Sequence, residues 1–339
     1  MDFISIFGSI DIELDHLRIL MSSLDFSKYT SVEQVIKDIK EIKIQGATNV
    51  ALATFEGLKL FLSQYPSDKP YHEFLLDLEK TGYILANARP NEPLAKNGVK
   101  FVMNMIRIKH PGMDDTATAI SKVDELVAEY LLFIQQAKDK IVENSTAILG
   151  GVDEVVTHCH SSTAEKIIIN QSKRIDNFSA VCTETRPLFQ GRITAKNLLD
   201  AGVDTTMIAD SAVESFIIGR GVRNTDVVFI GCDEITIQGD TINKIGSWGV
   251  ALAAYYASKP IYVVGSILKT DISTAYRPIE IEMRDARELW QDAPEGLKMV
   301  NPAFELVNRQ LITGYITEIG ILKPEEIQGA IQKEYQWLF

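Results

Sequence analysis

A cysteine set between two histidines, in Thr157-His158-Cys159-His160-Ser161-Ser162, is the densest chemical signal in the chain. It closes a β-branched run, and Ser162-Thr163-Ala164-Glu165 then carries the S-x-x-E pattern of a helix capping box. Cys159 is therefore expected just ahead of a helix N-terminus, where free N–H groups and the helix dipole lower a thiol's pKa and attract phosphate. A buried structural cysteine is the plain alternative. A zinc site is disfavoured, because on an extended strand His158 and His160 would point one way and Cys159 the other.

The run Asp226-Val227-Val228-Phe229-Ile230-Gly231-Cys232-Asp233 reads as a strand buried on both faces, leaving Asp233 at the carboxyl edge of a sheet. Apolar surroundings would raise its pKa and let the carboxyl donate a proton near neutral pH; a helix or turn cap is the alternative. Next, residues 239–246 (GDTINKIG) read as a glycine-marked loop running into a helix that carries Val250 to Tyr256. Asn243 and Lys244 suit an anion at that helix start, although an exposed cap would look the same. Thr183-Glu184-Thr185-Arg186-Pro187 and Asp210-Ser211 end two further strands, Arg186 offering a bidentate partner for phosphate or carboxylate. Four consecutive strand ends thus carry Cys, Glu with Arg, Asp with Ser, and Asp. Cys182 and Cys232 read as small core residues.

Those strand ends need a sheet to bring them together. After Gly150 the chain alternates short β-branched runs with helical patterns: DEVVTHC, FSAVCTE, DTTMIAD, DVVFIGCD and PIYVVG. Such alternation predicts a parallel sheet covered by helices on both faces, with its ligand crevice at the carboxyl ends of the strands. Before residue 150 the spacing predicts helices only, near 31–44, 48–65, 71–86 and 92–108, then a long connecting helix from Thr116 to about Leu149. Its positions Ile120, Val123, Val127, Leu131, Ile134 and Ile141 recur every three, four or seven residues. The expected organisation is an N-terminal helical domain, 1–149, followed by a doubly wound α/β domain, 150–339. From about Glu280 the tail mixes short strands and turns.

Composition narrows the function classes. A net charge of −12 over 339 residues argues against a surface built to hold nucleic acid. No stretch approaches the ~20 uninterrupted apolar residues of a membrane span, and the opening residues carry acids where a signal peptide needs bases. Three scattered cysteines fit a reducing compartment, so a cytoplasmic location is expected.

THCHSS at 157–162, TETRP at 183–187, IADSA at 208–212, GCDEI with GDTINKIG at 231–246, and NPAFE with ITEIG at 301–320 together carry a family resemblance. Over nearly its whole length the chain resembles the group containing ribose-1,5-bisphosphate isomerase, methylthioribose-1-phosphate isomerase and the regulatory subunits of translation initiation factor 2B. The THCHSS form looks most like the first of these. The resemblance implies a Rossmann-like sheet domain after the helical one, with Cys159 and Asp233 on the two catalytic positions and Asn243, Lys244, Gly46, Ala47 and Arg89 on substrate-binding ones. It further implies a sugar 1-phosphate as the partner, a two-fold dimer often assembled into hexamers, and no metal or redox cofactor. Glu184 and Arg186 are added as substrate-binding candidates from their place at a strand end. The chain departs from the isomerase pattern at Gln45, where the enzymes carry Arg before the Gly-Ala pair. A neutral amide cannot replace that charge at a phosphate, which leaves methylthioribose or deoxyribose 1-phosphate as alternative substrates. A non-catalytic sensor akin to the translation factor subunits is the reading from another class, and the presence of both Cys159 and Asp233 counts against it.

Overall fold

The computed structural model describes residues 25–220 and 224–339, which divide into two compact units. The first runs to Ala137 and takes in the tail Ala330–Phe339; the second is Lys138–Gly329. The sequence reading instead draws its boundary at 149/150 and leaves the tail with the second domain.

The first unit is helical: α1 (Val32–Lys40), α2 (Ala47–Gln64), α3 (Tyr71–Ala86), α4 (Pro93–Lys109) and most of α5 (Thr116–Ser145). These follow the predicted spans to within a few residues at each end. An aromatic cluster fills the unit, with the rings of Phe55 and Phe101 centred 5.3 and 5.5 Å from that of Tyr130. Gly98 permits this packing, since a Cβ there would stand 2.4 Å from both the Phe55 and Tyr130 rings. The tail joins the same cluster: Trp337 lies edge-on to Phe101, and Asn104 donates to the Trp337 carbonyl at 2.7 Å.

The second unit is α/β. Its main sheet contains β1 (Glu154–His158), β2 (Ser179–Thr183), β3 (Asp204–Ile208), β4 (Val227–Ile230), β7 (Ile261–Val264), β10 (Gly314–Thr317) and β11 (Gly320–Leu322), in the order β11-β10-β7-β4-β1-β2-β3. All neighbours are parallel except β10 and β11. Every residue of β1, β2 and β4 is buried, which explains their near-continuous apolar runs, whereas edge strand β3 is largely exposed. The connections use α6 (Ser162–Ser172), α7 (Gln190–Asp200) and α8 (Ser247–Tyr256). Chain order reverses between β1 and β4. In doubly wound sheets that reversal opens the crevice at the strands' carboxyl ends.

A second sheet, β8-β5-β6-β9, is not anticipated by the sequence reading. It is formed by β5 (Glu234–Thr236), β6 (Thr241–Lys244), β8 (Thr270–Asp271) and β9 (Phe304–Val307). The segment 239–246, predicted as a loop, is therefore the turn and second strand of the β5–β6 hairpin. Gly239 makes the turn, with φ +90° and a backbone approach to Pro324 that would leave a Cβ 2.1 Å from its carbonyl oxygen.

Candidate active site

Cys159 follows β1 and Asp233 lies between β4 and β5, so both stand at the carboxyl ends of the two strands that flank the reversal. Cys159 is not on the strand. Its backbone is left-handed, φ +69°, a conformation costing a non-glycine residue roughly 1–2 kcal/mol. That breaks the alternation expected of His158, Cys159 and His160. His158 turns to Thr183 and the Ile245 carbonyl, while His160 turns to Thr194. Among the described residues no His, Cys, Asp and Glu cluster could hold a metal ion.

Helix α6 begins one residue earlier than the predicted capping box would have it. Ser161 is the cap, its Oγ accepting from the Ala164 N–H at 3.3 Å. Glu165 turns away to Asn197, which donates to it at 3.0 Å. The nearby helix start does not make Cys159 a thiolate. Burial pushes its pKa up to about 12; the Lys244 ammonium draws it down, and the Asp233 carboxylate pushes it up again. Cys159 itself is half-buried, and the desolvation imposed by its packed surroundings outweighs the dipole. Cys182 and Cys232 are buried as expected, and burial raises them to about 12 and 11.

Lys244 ends β6 and is buried, with its Nζ 4.7 Å from the centroid of the Phe304 ring. Among the described residues no carboxylate pairs with it. A buried ammonium against a ring face is a strong place for an anion. Asn243 beside it donates to Ser247 Oγ at 2.8 Å, and Ser247 donates to the Lys244 carbonyl at 2.6 Å. A Cβ at Gly231 would lie 3.0 Å from Ser161 Cβ and 3.7 Å from Asn243 Oδ1, so the turn after β4, the start of α6 and the end of β6 converge. The N-terminus of α8, predicted as an anion site, is already filled. Glu305 Oε1 accepts from the Gly246 and Trp248 N–H groups at 2.6 and 2.9 Å.

Glu184 and Arg186 each have a partner in this structure. The Glu184 carboxylate sits 3.5 Å from Arg192, and Arg186 stacks on Phe189 and donates to the Leu289 carbonyl at 2.8 Å. The residue between them, Thr185, is the one that reaches Cys159, accepting its N–H at 3.0 Å. Asp210 accepts from the backbone N–H groups of Thr185 and Arg186, each at 2.7 Å.

The remaining predicted residues belong to the first unit. Gly46 caps α2 with φ +86°, Ala47 opens that helix, and Arg89 is buried against the equally buried Glu92 at 3.0 Å. Gln45 folds back so that its amide donates to the Ile42 carbonyl at 3.3 Å. Two surface cavities in this unit, about 360 and 500 Å³, are lined by residues such as Phe61 and Tyr65 or Phe26 and Lys59 and include none of the predicted site.

Sequence reasoning missed Phe304, Glu305 and Thr194. The first two sit in NPAFE, whose spacing from Lys244 gives no hint that β9 pairs with β6. No helix among the described residues is long and apolar enough to cross a membrane.

The model of the Initiation factor 2 subunit family matches residues 43–324. The ribose 1,5-bisphosphate isomerase of Methanocaldococcus jannaschii is 32% identical over 94% of this chain and 98% of its own. The 5-deoxyribose 1-phosphate isomerase of Clostridium botulinum is 29% identical over 90% of each. Among solved structures, the 5-methylthioribose 1-phosphate isomerase of Pyrococcus horikoshii superposes with a TM-score of 0.72 at 22% identity, covering 91% of this chain and 88% of that one. The translation initiation factor eIF-2B of the same organism gives 0.73 at 20%, covering 86% and 97%. Both share the fold of a helical part and a doubly wound sheet.

Proposed function

The chain belongs to the Initiation factor 2 subunit family, and we propose that within it this protein is a sugar-phosphate isomerase converting ribose 1,5-bisphosphate to ribulose 1,5-bisphosphate. The observation that carries the reading is the buried Lys244 ammonium beside the Cys159 thiol and the Asp233 carboxylate, at the reversal point of the sheet. A phosphate would meet that buried ammonium, which lies against the face of the Phe304 ring.

The chemistry follows from the substrate. A furanose with phosphate on its anomeric oxygen has no free hydroxyl through which to open. In our assignment Asp233 protonates the ring oxygen as its bond to C1 breaks, and Cys159 serves proton transfer at C2 and C1. Loss of the C2 proton leaves an enol phosphate with a C1–C2 double bond. Protonation at C1 and loss of the C2 hydroxyl proton then give the ketose 1-phosphate, with the phosphate never leaving. Cys159 is a neutral thiol at rest, so in this assignment it first passes its proton to the Asp233 carboxylate, which makes Asp233 the acid for the ring oxygen and leaves a thiolate near the Lys244 ammonium to take the C2 proton; the re-formed thiol then donates at C1 while Asp233 recovers the C2 hydroxyl proton.

Asn243 and Lys244, with Gly46, Ala47, Arg89, Glu184 and Arg186, are assigned to substrate. Residues 1–149 are read as the helical domain and 150–339 as the catalytic one. A cytoplasmic homodimer or homohexamer is the assembly we assign. Gln45 favours a second substrate, 5-deoxyribose 1-phosphate, because its amide supplies no charge for a 5-phosphate.

Ketose formation from ribose 1,5-bisphosphate and from 5-deoxyribose 1-phosphate tests the proposal. Turnover of the first establishes it, and preference for the second transfers it to the Gln45 reading. Turnover of neither, with sugar phosphate still bound, would sink the isomerase.

A further inference from the structure

Cys159 is held from both sides of its own backbone. On one side its N–H donates to Thr185 Oγ1 (3.0 Å), which is linked to Thr183 Oγ1 (3.2 Å), itself 2.7 Å from His158 Nδ1. The far nitrogen of that ring, Nε2, meets the Ile245 carbonyl at 2.9 Å. A carbonyl only accepts, so the ring proton must sit on Nε2 and Nδ1 must accept. Every hydroxyl in the chain is thereby oriented: Thr183 donates to His158, Thr185 donates to Thr183, and Cys159 donates to Thr185. Burial holds His158 below its usual pKa, in keeping with a neutral ring.

On the other side Thr194 Oγ1 donates to the Cys159 carbonyl at 3.1 Å and receives from His160 Nδ1 at 3.0 Å. Thr194 can reach because α7 packs onto the end of β2 at Gly191, where a Cβ would stand 1.8 Å from the Thr183 carbonyl oxygen. The His158 ring also abuts Gly246, where a Cβ would lie 2.8 Å from its Cε1. One imidazole therefore ties the thiol's backbone to the two residues that follow Lys244.

We infer that His158, Thr183, Thr185, Thr194 and His160 are positioning residues, a double clamp that keeps Cys159 left-handed and fixes its thiol relative to the Lys244 ammonium. Asp210 anchors the clamp through the backbone of Thr185 and Arg186. This assigns roles to the histidines and threonines around Cys159. The catalytic consequence rests on the isomerase reading; the geometric one does not.

Two readouts separate them. Steady-state isomerisation is measured for Thr185→Val, Thr185→Ser, Thr194→Val and Thr194→Ser, and the rate at which iodoacetamide alkylates the Cys159 peptide is followed by mass spectrometry. Each valine keeps the shape and removes the hydroxyl, while each serine keeps the hydroxyl. The valine variants should lose ~10–10²-fold in kcat with KM nearly unchanged, and their Cys159 should alkylate several-fold faster as the residue relaxes towards solvent. The serine variants should stay near the wild type in both. If valine and serine behave alike at both positions, whether both silent or both impaired, the clamp is wrong. If the wild type isomerises neither sugar, the alkylation contrast alone decides: a valine–serine split upholds the clamp and its absence overturns it.

Discussion

The ends of β1 and β4 supply the two residues assigned to proton transfer, and they are built in opposite ways. Cys159 owes its place to side chains: a left-handed residue whose N–H and carbonyl are each taken by a threonine hydroxyl. Asp233 owes its place to backbone. Its N–H donates to the Ile242 carbonyl at 2.9 Å, so the β5–β6 hairpin carries it. A side-chain clamp can be loosened one hydroxyl at a time, whereas a strand-pairing register shifts only as a block. The most direct way to break the comparison is to remove the reacting groups themselves. Cys159→Ser and Asp233→Asn should each lower kcat by ~10²–10⁴-fold with the fold intact, as read by ketose formation and circular dichroism. Residual activity near the wild-type level in either variant would remove that residue from the chemistry.

Lys244 sharpens the comparison, because it belongs to the hairpin yet acts on the thiol across the crevice. Lys244→Met should cost ~10–10²-fold in kcat/KM through the lost charge on phosphate, the scale of a charged hydrogen bond of about 1.5–3 kcal/mol. The same change takes away the cation that draws the Cys159 pKa down. The alkylation profile of Cys159 should therefore move to higher pH, and an unmoved profile would show that the two ends are not electrostatically linked.

Much of the fold is legible in the residues. The predicted strands and helices recur in the structure because long apolar periodicity reports burial directly, as in the unbroken runs of β1 and β4. The second sheet is not legible. Its strands have two to four residues, and Thr241-Ile242-Asn243-Lys244 looks no different from a polar loop until β9 pairs with it from sixty residues away. At the site, residue types could be read but directions could not. That His158 faces Thr183, and Glu305 the start of α8, depends on which strand ends meet. The thiol illustrates the limit. A helix start after Cys159 is visible in THCHSS, but the desolvation that raises its pKa is a property of everything packed around it.

The two buried thiols give a prediction for stability against pH. Cys182 ionises near 12 and Cys232 near 11 in the folded chain, against about 9 when exposed. Between those values the unfolded chain has released protons that the folded one still holds, so stability falls as pH rises. Below about pH 9 the contribution is fully present. Each thiol can cost at most about 1.4 kcal/mol per pH unit in that window. Melting temperature should decline progressively from pH 9 to 11, less steeply in Cys182→Ala, and a flat profile would mean the thiols are wetter than the structure has them.

The smallest effect concerns how the hairpin end itself is held. Glu305 reaches from β9 to accept two N–H groups at the start of α8, immediately after the segment that carries Lys244. Removing it in Glu305→Ala leaves two donors and the positive end of a ten-residue helix without a partner, a loss of about 1 kcal/mol, or about 2 °C in Tm for a domain of this size. Glu305→Gln keeps an acceptor and loses only the charge, so it should cost about half as much. Because strand pairing, not this carboxylate, sets the register of β6, Cys159 alkylation should remain at the wild-type rate in both variants. An accelerated rate would mean that the helix cap also supports the Ile245 carbonyl on which His158 rests, and that the two ends are one structure instead of two.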